Sequence, residues 1–219
     1  MDKIENIIER QIPTEVQDRR EELNILEEKA KECRECILCN NRNKSVFSKG
    51  DCFPKFMIIG MGAGANENKQ GKPFVGRAGK LLDKMLLSIN INPEDVYITN
   101  CVKCFLPDNK ITQEQFDKCS KQFLLEEIKL IKPKYIILLG NTVVDYMFDV
   151  FSVKRQGNLM EIKGKEHKSW IINDLIMGTV KEGVSLIPEW HPAGILRQPS
   201  MLETYKDDWK DLVNIFKPI

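Results

Sequence analysis

No stretch of the chain approaches the roughly 20 consecutive apolar residues that a membrane span requires. The charged start MDKIENIIERQ also lacks the apolar core of a secretory signal, so a cytoplasmic location is expected. Neither an internal repeat nor a low-complexity tract is present, which excludes a repeat architecture. An excess of either charge is missing too. The 33 Lys/Arg face 32 Asp/Glu for a net charge of +1, so bulk charge does not announce a nucleic-acid partner. Residues 1–32 are the exception: six basic and ten acidic side chains leave the remainder mildly basic, which permits a phosphate-binding face. Histidine is scarce, with two in the chain.

What is present suffices for one sizeable core, since 219 residues with 42% hydrophobic content fit a single α/β domain better than two. Residues 1–32 read as an appended acidic helical segment. Its helix is expected over 14–32, with Thr14 as N-cap and Val16, Leu23 and Leu26 as sparse apolar positions on an otherwise solvated rod. Residues 33–219 form the domain proper. From Phe56 onward, short apolar runs (KFMIIG, VYITN, YIILLG, VSLIP) alternate with helical stretches around 77–90, 112–131 and 141–151, and a closing helix falls near 201–216. That alternation predicts βαβ units: a central, mostly parallel four-stranded sheet flanked by helices. KRQGNLMEIKG and WIINDLIMG read as β-rich or hairpin segments. In open sheets of this kind ligands bind at the carboxyl ends of the strands, so chemistry is sought just after them.

Seven cysteines (33, 36, 39, 52, 101, 104 and 119) are many for a reducing compartment, where structural disulfides are disfavoured. Cys33 and Cys36 form a CxxC, and Cys104 and Cys119 lie far downstream. Four thiolates suit a tetrahedral zinc or a cubane iron-sulfur cluster, and spacing does not separate the two. Cys52 and Cys101 adjoin or lie in predicted strands and read as small buried apolar residues. The loop Gly60-Met61-Gly62-Ala63-Gly64-Ala65 formally satisfies the GxGxxA dinucleotide fingerprint. Two features argue against a nicotinamide cofactor. The loop is expected to run on through NENKQGKPFVG instead of opening into a helix, and VYITN ends in Asn100 where a ribose-binding acid would stand. Phe74, in KPFVGRAG, is placed as a stacking platform for a base, ahead of a helix N-terminus that attracts phosphate. His191 follows the last strand in WHPAGILRQ, a position suited to loop chemistry.

As a set, CRECILCNNR, the glycine loop with GKPFVGRAGKLLDKML, VYITNCVKC, the later Cys119, YIILLG and HPAGILRQP resemble the family 4 uracil-DNA glycosylases over roughly residues 33–216. The resemblance implies the uracil-DNA glycosylase fold and removal of uracil from single- or double-stranded DNA, leaving an abasic site during base excision repair. It implies that Cys33, Cys36, Cys104 and Cys119 hold a 4Fe-4S cluster, with zinc as the alternative. Phe74 would stack on the flipped-out uracil and Asn100 would read its edge, beside Gly62 of the glycine loop. His191 would donate to the carbonyl that gains charge, and Glu67 would hold the attacking water or support the sugar cation. Arg77 would meet the DNA, and Ile195, Leu196 and Arg197 would lie on the loop that enters the duplex.

The pattern also departs from the family. Met61 stands where a glutamate is common and Asn68 where an aspartate is, while the run from Phe105 to Lys110 replaces an arginine-rich loop and should weaken phosphate contact. An insertion around 165–182 has no counterpart. Met61 motivates a second reading: a catalytically weak or silent member that binds DNA, or a replication or repair protein, through the same fold, or that acts on another modified base.

Overall fold

Four short apolar runs pair side by side in the computed structural model, which describes residues 14–163, 167–169 and 184–215. They are β2 (Met57–Gly60), β3 (Tyr97–Asn100), β4 (Tyr135–Leu139) and β6 (Val184–Glu189), and every residue in them is buried. Burial on both faces is what parallel strands between helix layers demand, and it explains runs that are continuously apolar. β1 (Ser48–Gly50) and β5 (His167–Ser169) add antiparallel edges, giving the order β1-β3-β2-β4-β6-β5. The expected four-stranded parallel centre is present, with these two short edges added to it.

Alternate strand residues face opposite helix layers. Met57, Ile59, Ile136 and Leu138 pack with α1 (Thr14–Glu32), α4 (Gln113–Cys119), α5 (Leu125–Ile131) and α6 (Asn141–Val150). Ile58, Ile98, Ile137 and Ile187 pack with α3 (Arg77–Ser88) and α9 (Leu202–Ile215), where Leu82, Leu86, Tyr205 and Trp209 are fully buried. Each such side chain contributes about 1.5–3 kcal/mol of transfer free energy. Between α4 and α5, residues Ser120–Leu124 form a π-helical turn, so the single helix expected over 112–131 carries one loosened turn in its middle.

Three expectations need correction. Helix α1 is not wholly solvated: Leu23, Leu26 and Ala30 are buried in the core, and the Arg19 guanidinium lies 3.7 Å from the Phe53 ring centroid while donating to the carbonyl of Cys52. The charged residues occupy the outer face, and the few apolar ones suffice to dock it. The glycine loop does open into a helix, the short α2 (Ala65–Gln70), ended by Gly71 in the left-handed region at φ 79°. Within KRQGNLMEIKG lies a helical turn, α7 (Leu159–Ile162), because Asn158 and Glu161 form a reciprocal capping box. WIINDLIMG and most of the 165–182 insertion lie outside the described residues. After β6 comes α8 (Pro192–Arg197). No helix among the described residues is long and apolar enough to cross a membrane.

Candidate active site

Beyond the sheet, the loops after β2 and β3 zip together. Cys101 N–H donates to the Gly60 carbonyl at 2.9 Å, Val102 N–H to Met61 at 3.0 Å, and Leu106 N–H to Ala63 at 3.2 Å. Gly60 is obligatory here: a β-carbon on it would stand 2.5 Å from Asn100 Oδ1 and 2.8 Å from Phe74 Cζ, so both side chains converge over its bare Cα. At their meeting point lies a cleft of about 370 Å³, lined by Met61, Gly62, Glu67, Phe74, Asn100 and His191, with Arg197 at its side. It sits at the carboxyl ends of the parallel strands, where an open sheet binds its ligand.

Phe74 holds φ 51°, a left-handed conformation that costs an aromatic residue about 1–3 kcal/mol unless its surroundings enforce it. Three neighbours do so. Glu67 Oε1 accepts the amides of Val75 at 3.0 Å and Gly76 at 2.8 Å; Lys49 Nζ donates to the Phe74 carbonyl at 3.2 Å; and Gly79 lets that carbonyl approach to 1.9 Å from where a β-carbon would be. Glu67 therefore has one oxygen committed to shaping the loop. Its second, Oε2, stands over Gly64 on the cleft wall.

The Phe74 and His191 rings stack with centroids 5.8 Å apart and planes inclined by 30°. His191 is the N-cap of α8, and its Nδ1 accepts the Ala193 amide at 3.1 Å. Since that nitrogen is an acceptor, the imidazole proton belongs on Nε2. Burial, helped by the Arg197 charge and opposed by Glu67, lowers the imidazole pKa to about 4, so the ring is a neutral donor at neutral pH.

A separate recess gathers Cys33 and Cys36 from the turn after α1 with Cys104 and Cys119, and Cys39 lines it as well. The space they enclose is small, about 10 Å³. Two donors already point at sulfur: Arg42 Nη1 reaches Cys104 Sγ at 3.1 Å, and the Lys103 amide reaches Cys119 Sγ at 3.4 Å. Burial pushes the Cys119 thiol up to about 12 and raises Cys104 too, opposed by the Lys103 amide at Cys119 and by Arg42 at Cys104. Four cysteine sulfurs with N–H donors behind them are a donor set suited to a soft metal centre. Among the described residues no group of three His, Cys, Asp or Glu side chains converges on a single ion. Cys52 and Cys101 are buried apart from this recess, as expected.

Comparison with known proteins decides the family. The profile of the uracil DNA glycosylase superfamily matches residues 47–213, which include the whole cleft. This chain belongs to the uracil DNA glycosylase superfamily. It is 34% identical over 183 residues to the type-4 uracil-DNA glycosylase of Archaeoglobus fulgidus, covering 82% of this chain and 86% of that protein. It is 35% identical over 185 residues to the type-4 uracil-DNA glycosylase of Thermotoga maritima, covering 83% and 87%. A DNA polymerase of Bacillus phage SP01 is 29% identical over 176 residues, covering 80% of this chain but 17% of the polymerase.

In this member of the superfamily the remaining anticipated residues divide sharply. Arg77 is exposed as the first residue of α3 and lies outside the cleft lining. Ile195 is 2% exposed and packed in the core, whereas Leu196 is partly buried and Arg197 lines the cleft. Asn68 faces away from the cleft: it is buried, and its Oδ1 accepts the amides of Asn43 at 2.7 Å and Lys44 at 3.4 Å. It is a bracket between loops and does not stand in for a missing cleft acid. Sequence reasoning passed over Asn109, Gly140, Asn141 and Thr142, which also line the cleft. The signal for the last three was the glycine closing YIILLG, which adopts φ 91° at the end of β4.

Proposed function

We propose that the protein hydrolyses the N-glycosidic bond of uracil in single- or double-stranded DNA, leaving an abasic site for base excision repair. The carrying observation is the convergence of Phe74, Asn100 and a neutral His191 on one cleft. An extruded uracil stacks on Phe74, whose backbone is fixed before the base arrives, so the ordering cost is met during folding. Asn100 offers a donor and an acceptor to the neighbouring C=O and N–H of the pyrimidine edge. As the bond to the sugar breaks, its electron pair moves onto the base, and His191 Nε2–H donates to the carbonyl oxygen that gains charge. Glu67 Oε2 holds the water whose hydroxyl adds to the anomeric carbon, and that water's remaining proton passes to the departing anion to restore neutral uracil. Leu196 and Arg197 meet the duplex beside the extruded nucleotide, and Arg77 contacts a phosphate at the α3 N-terminus. Cys33, Cys36, Cys104 and Cys119 hold a 4Fe-4S cluster, which when bound ties the turn after α1 to the segment following β3. Absorbance near 400 nm in anaerobically purified protein supports the cluster; a colourless zinc protein overturns it.

The test is single-turnover excision on a labelled uracil oligonucleotide followed by alkaline cleavage. His191→Ala is expected to slow excision by about 10²–10³-fold, the usual cost of one oxyanion donor. Met61 lines the cleft where a carboxylate was anticipated, and this favours one alternative, a fold kept for binding DNA. No product from wild type with recovery in Met61→Glu decides for that alternative.

A further inference from the structure

A groove of about 650 Å³ lies past the C-terminal end of α2, separate from the cleft. Five basic side chains line it, Lys31, Arg34, Arg42, Lys44 and Lys72, against the single acid Glu27. In a chain of net charge +1 that concentration is local, so bulk composition does not account for it. Two of the five have structural duties. Lys31 pairs with Glu27 and Glu28, and Arg42 donates to the carbonyl of Cys33 and the sulfur of Cys104. Arg34 reaches the adjacent carbonyl of Cys33, while the exposed Lys44 and Lys72 side chains have no ion pair to any described residue.

The two walls are built to stay together. Asn68 Oδ1 binds the amides of Asn43 and Lys44, and the stem of Lys44 crosses Gly71 so closely that a β-carbon there would come within 3.0 Å of Lys44 Cδ. Ser45 lines the groove as well, its Oγ buried and without a hydrogen-bond partner among the described residues. Lys72, on the groove wall, stands two residues before Phe74, which lines the cleft. A strand that places its base on Phe74 must route its backbone across the neighbouring surface, and clustered cations not spent on ion pairs are what phosphodiesters bind.

We infer that this groove carries the sugar-phosphate backbone of the strand flanking the extruded nucleotide, with Lys44 and Lys72 as its phosphate contacts. The identity of that strand rests on the glycosylase reading, whereas the groove's affinity for DNA does not.

Fluorescence anisotropy of a labelled, uracil-free single strand, titrated with full-length protein over a series of KCl concentrations, separates the two. Lys44→Ala and Lys72→Ala should each make the negative slope of log K against log[KCl] shallower by about 0.7, and the double variant by about 1.4. Lys44→Arg restores the slope. Lys210→Ala, a control on the exposed part of α9, keeps the wild-type slope. A wild-type slope in the double variant overturns the groove and leaves the glycosylase reading standing. A reduced slope in a protein that excises nothing supports the groove and overturns the glycosylase reading.

Discussion

Glu127 and Glu189 are both fully buried, each close to a residue of the cleft, and the fold treats them differently. Glu127 has a complete shell: Tyr97 Oη donates to it at 2.8 Å, Thr99 Oγ1 at 2.9 Å, and Lys103 Nζ pairs with its second oxygen. The same ammonium donates to the Asn100 carbonyl at 2.9 Å, so the ion pair anchors the backbone of the base-reading residue. Glu189 precedes Trp190 and His191 and accepts one bond, from the Trp190 amide at 2.6 Å. Among the described residues its Oε2 has no hydrogen-bond partner, nor does the buried Trp190 Nε1. Burial pushes the Glu189 carboxyl up to about 8, with Asp208 adding to the shift and the Trp190 amide and Lys163 opposing it. Burial raises the Glu127 carboxyl too, but there the Lys103 ammonium and the Tyr97 and Thr99 hydroxyls oppose it, whereas Glu189 has one donor on it. The Asn100 side of the cleft is thus fixed by an ion pair, and the His191 side by a neutral acid.

Breaking the ion pair should have the largest effect. Lys103→Met leaves Glu127 uncompensated and is expected to lower stability by about 3–5 kcal/mol in urea denaturation, while adding Glu127→Leu recovers most of that loss. Equal losses in the single and double variants would show that packing, not charge, is what these residues supply. Next comes pH. The folded Glu189 carboxyl holds its proton up to about 8, whereas its ordinary value is 4.5. Between those values the unfolded chain binds fewer protons than the folded one, so this group's stabilising contribution, complete below 4.5, is lost as pH rises toward 8. The slope is about 1.4 kcal/mol per pH unit while only the unfolded state is ionised. Denaturation midpoints across that range should flatten in Glu189→Gln, and an unchanged slope in that variant would assign the pH response elsewhere. The smallest effect is expected from Tyr97→Phe, which removes one donor from a shell that keeps two others and should cost about 1 kcal/mol.

The parallel strands and the places to look beyond them were legible because both-face burial writes itself as unbroken apolar runs; Asn100 closes one such run and His191 follows another, whereas Phe74 was legible from its glycine- and proline-flanked loop ahead of a helix. What stayed hidden depends on tertiary direction. Nothing local in ANENKQ says that Glu67 turns toward the Phe74 loop while Asn68 turns toward Lys44, since consecutive helical residues diverge by about 100°. Ile195 and Leu196 are similarly adjacent and apolar, and the short helix α8 sends the first into the core. The turn at Leu159–Ile162 was readable in principle, because the Asn158 and Glu161 spacing is that of a capping box, but the flanking Gly157 and scattered basic residues obscured it.

The loosened turn at Ser120–Leu124 has a consequence for how this stretch can vary. It lies on one rod between Cys119, which faces the sulfur recess, and Glu127, which faces Lys103. One residue more or less would rotate everything beyond it by about 100°. The two anchors are keyed to each other like bits on a single shaft. Substitutions at the exposed Lys121 and Gln122 are tolerable, whereas a one-residue insertion or deletion would unlock one end whenever the other stayed engaged, so natural variants should conserve the length of this stretch strictly.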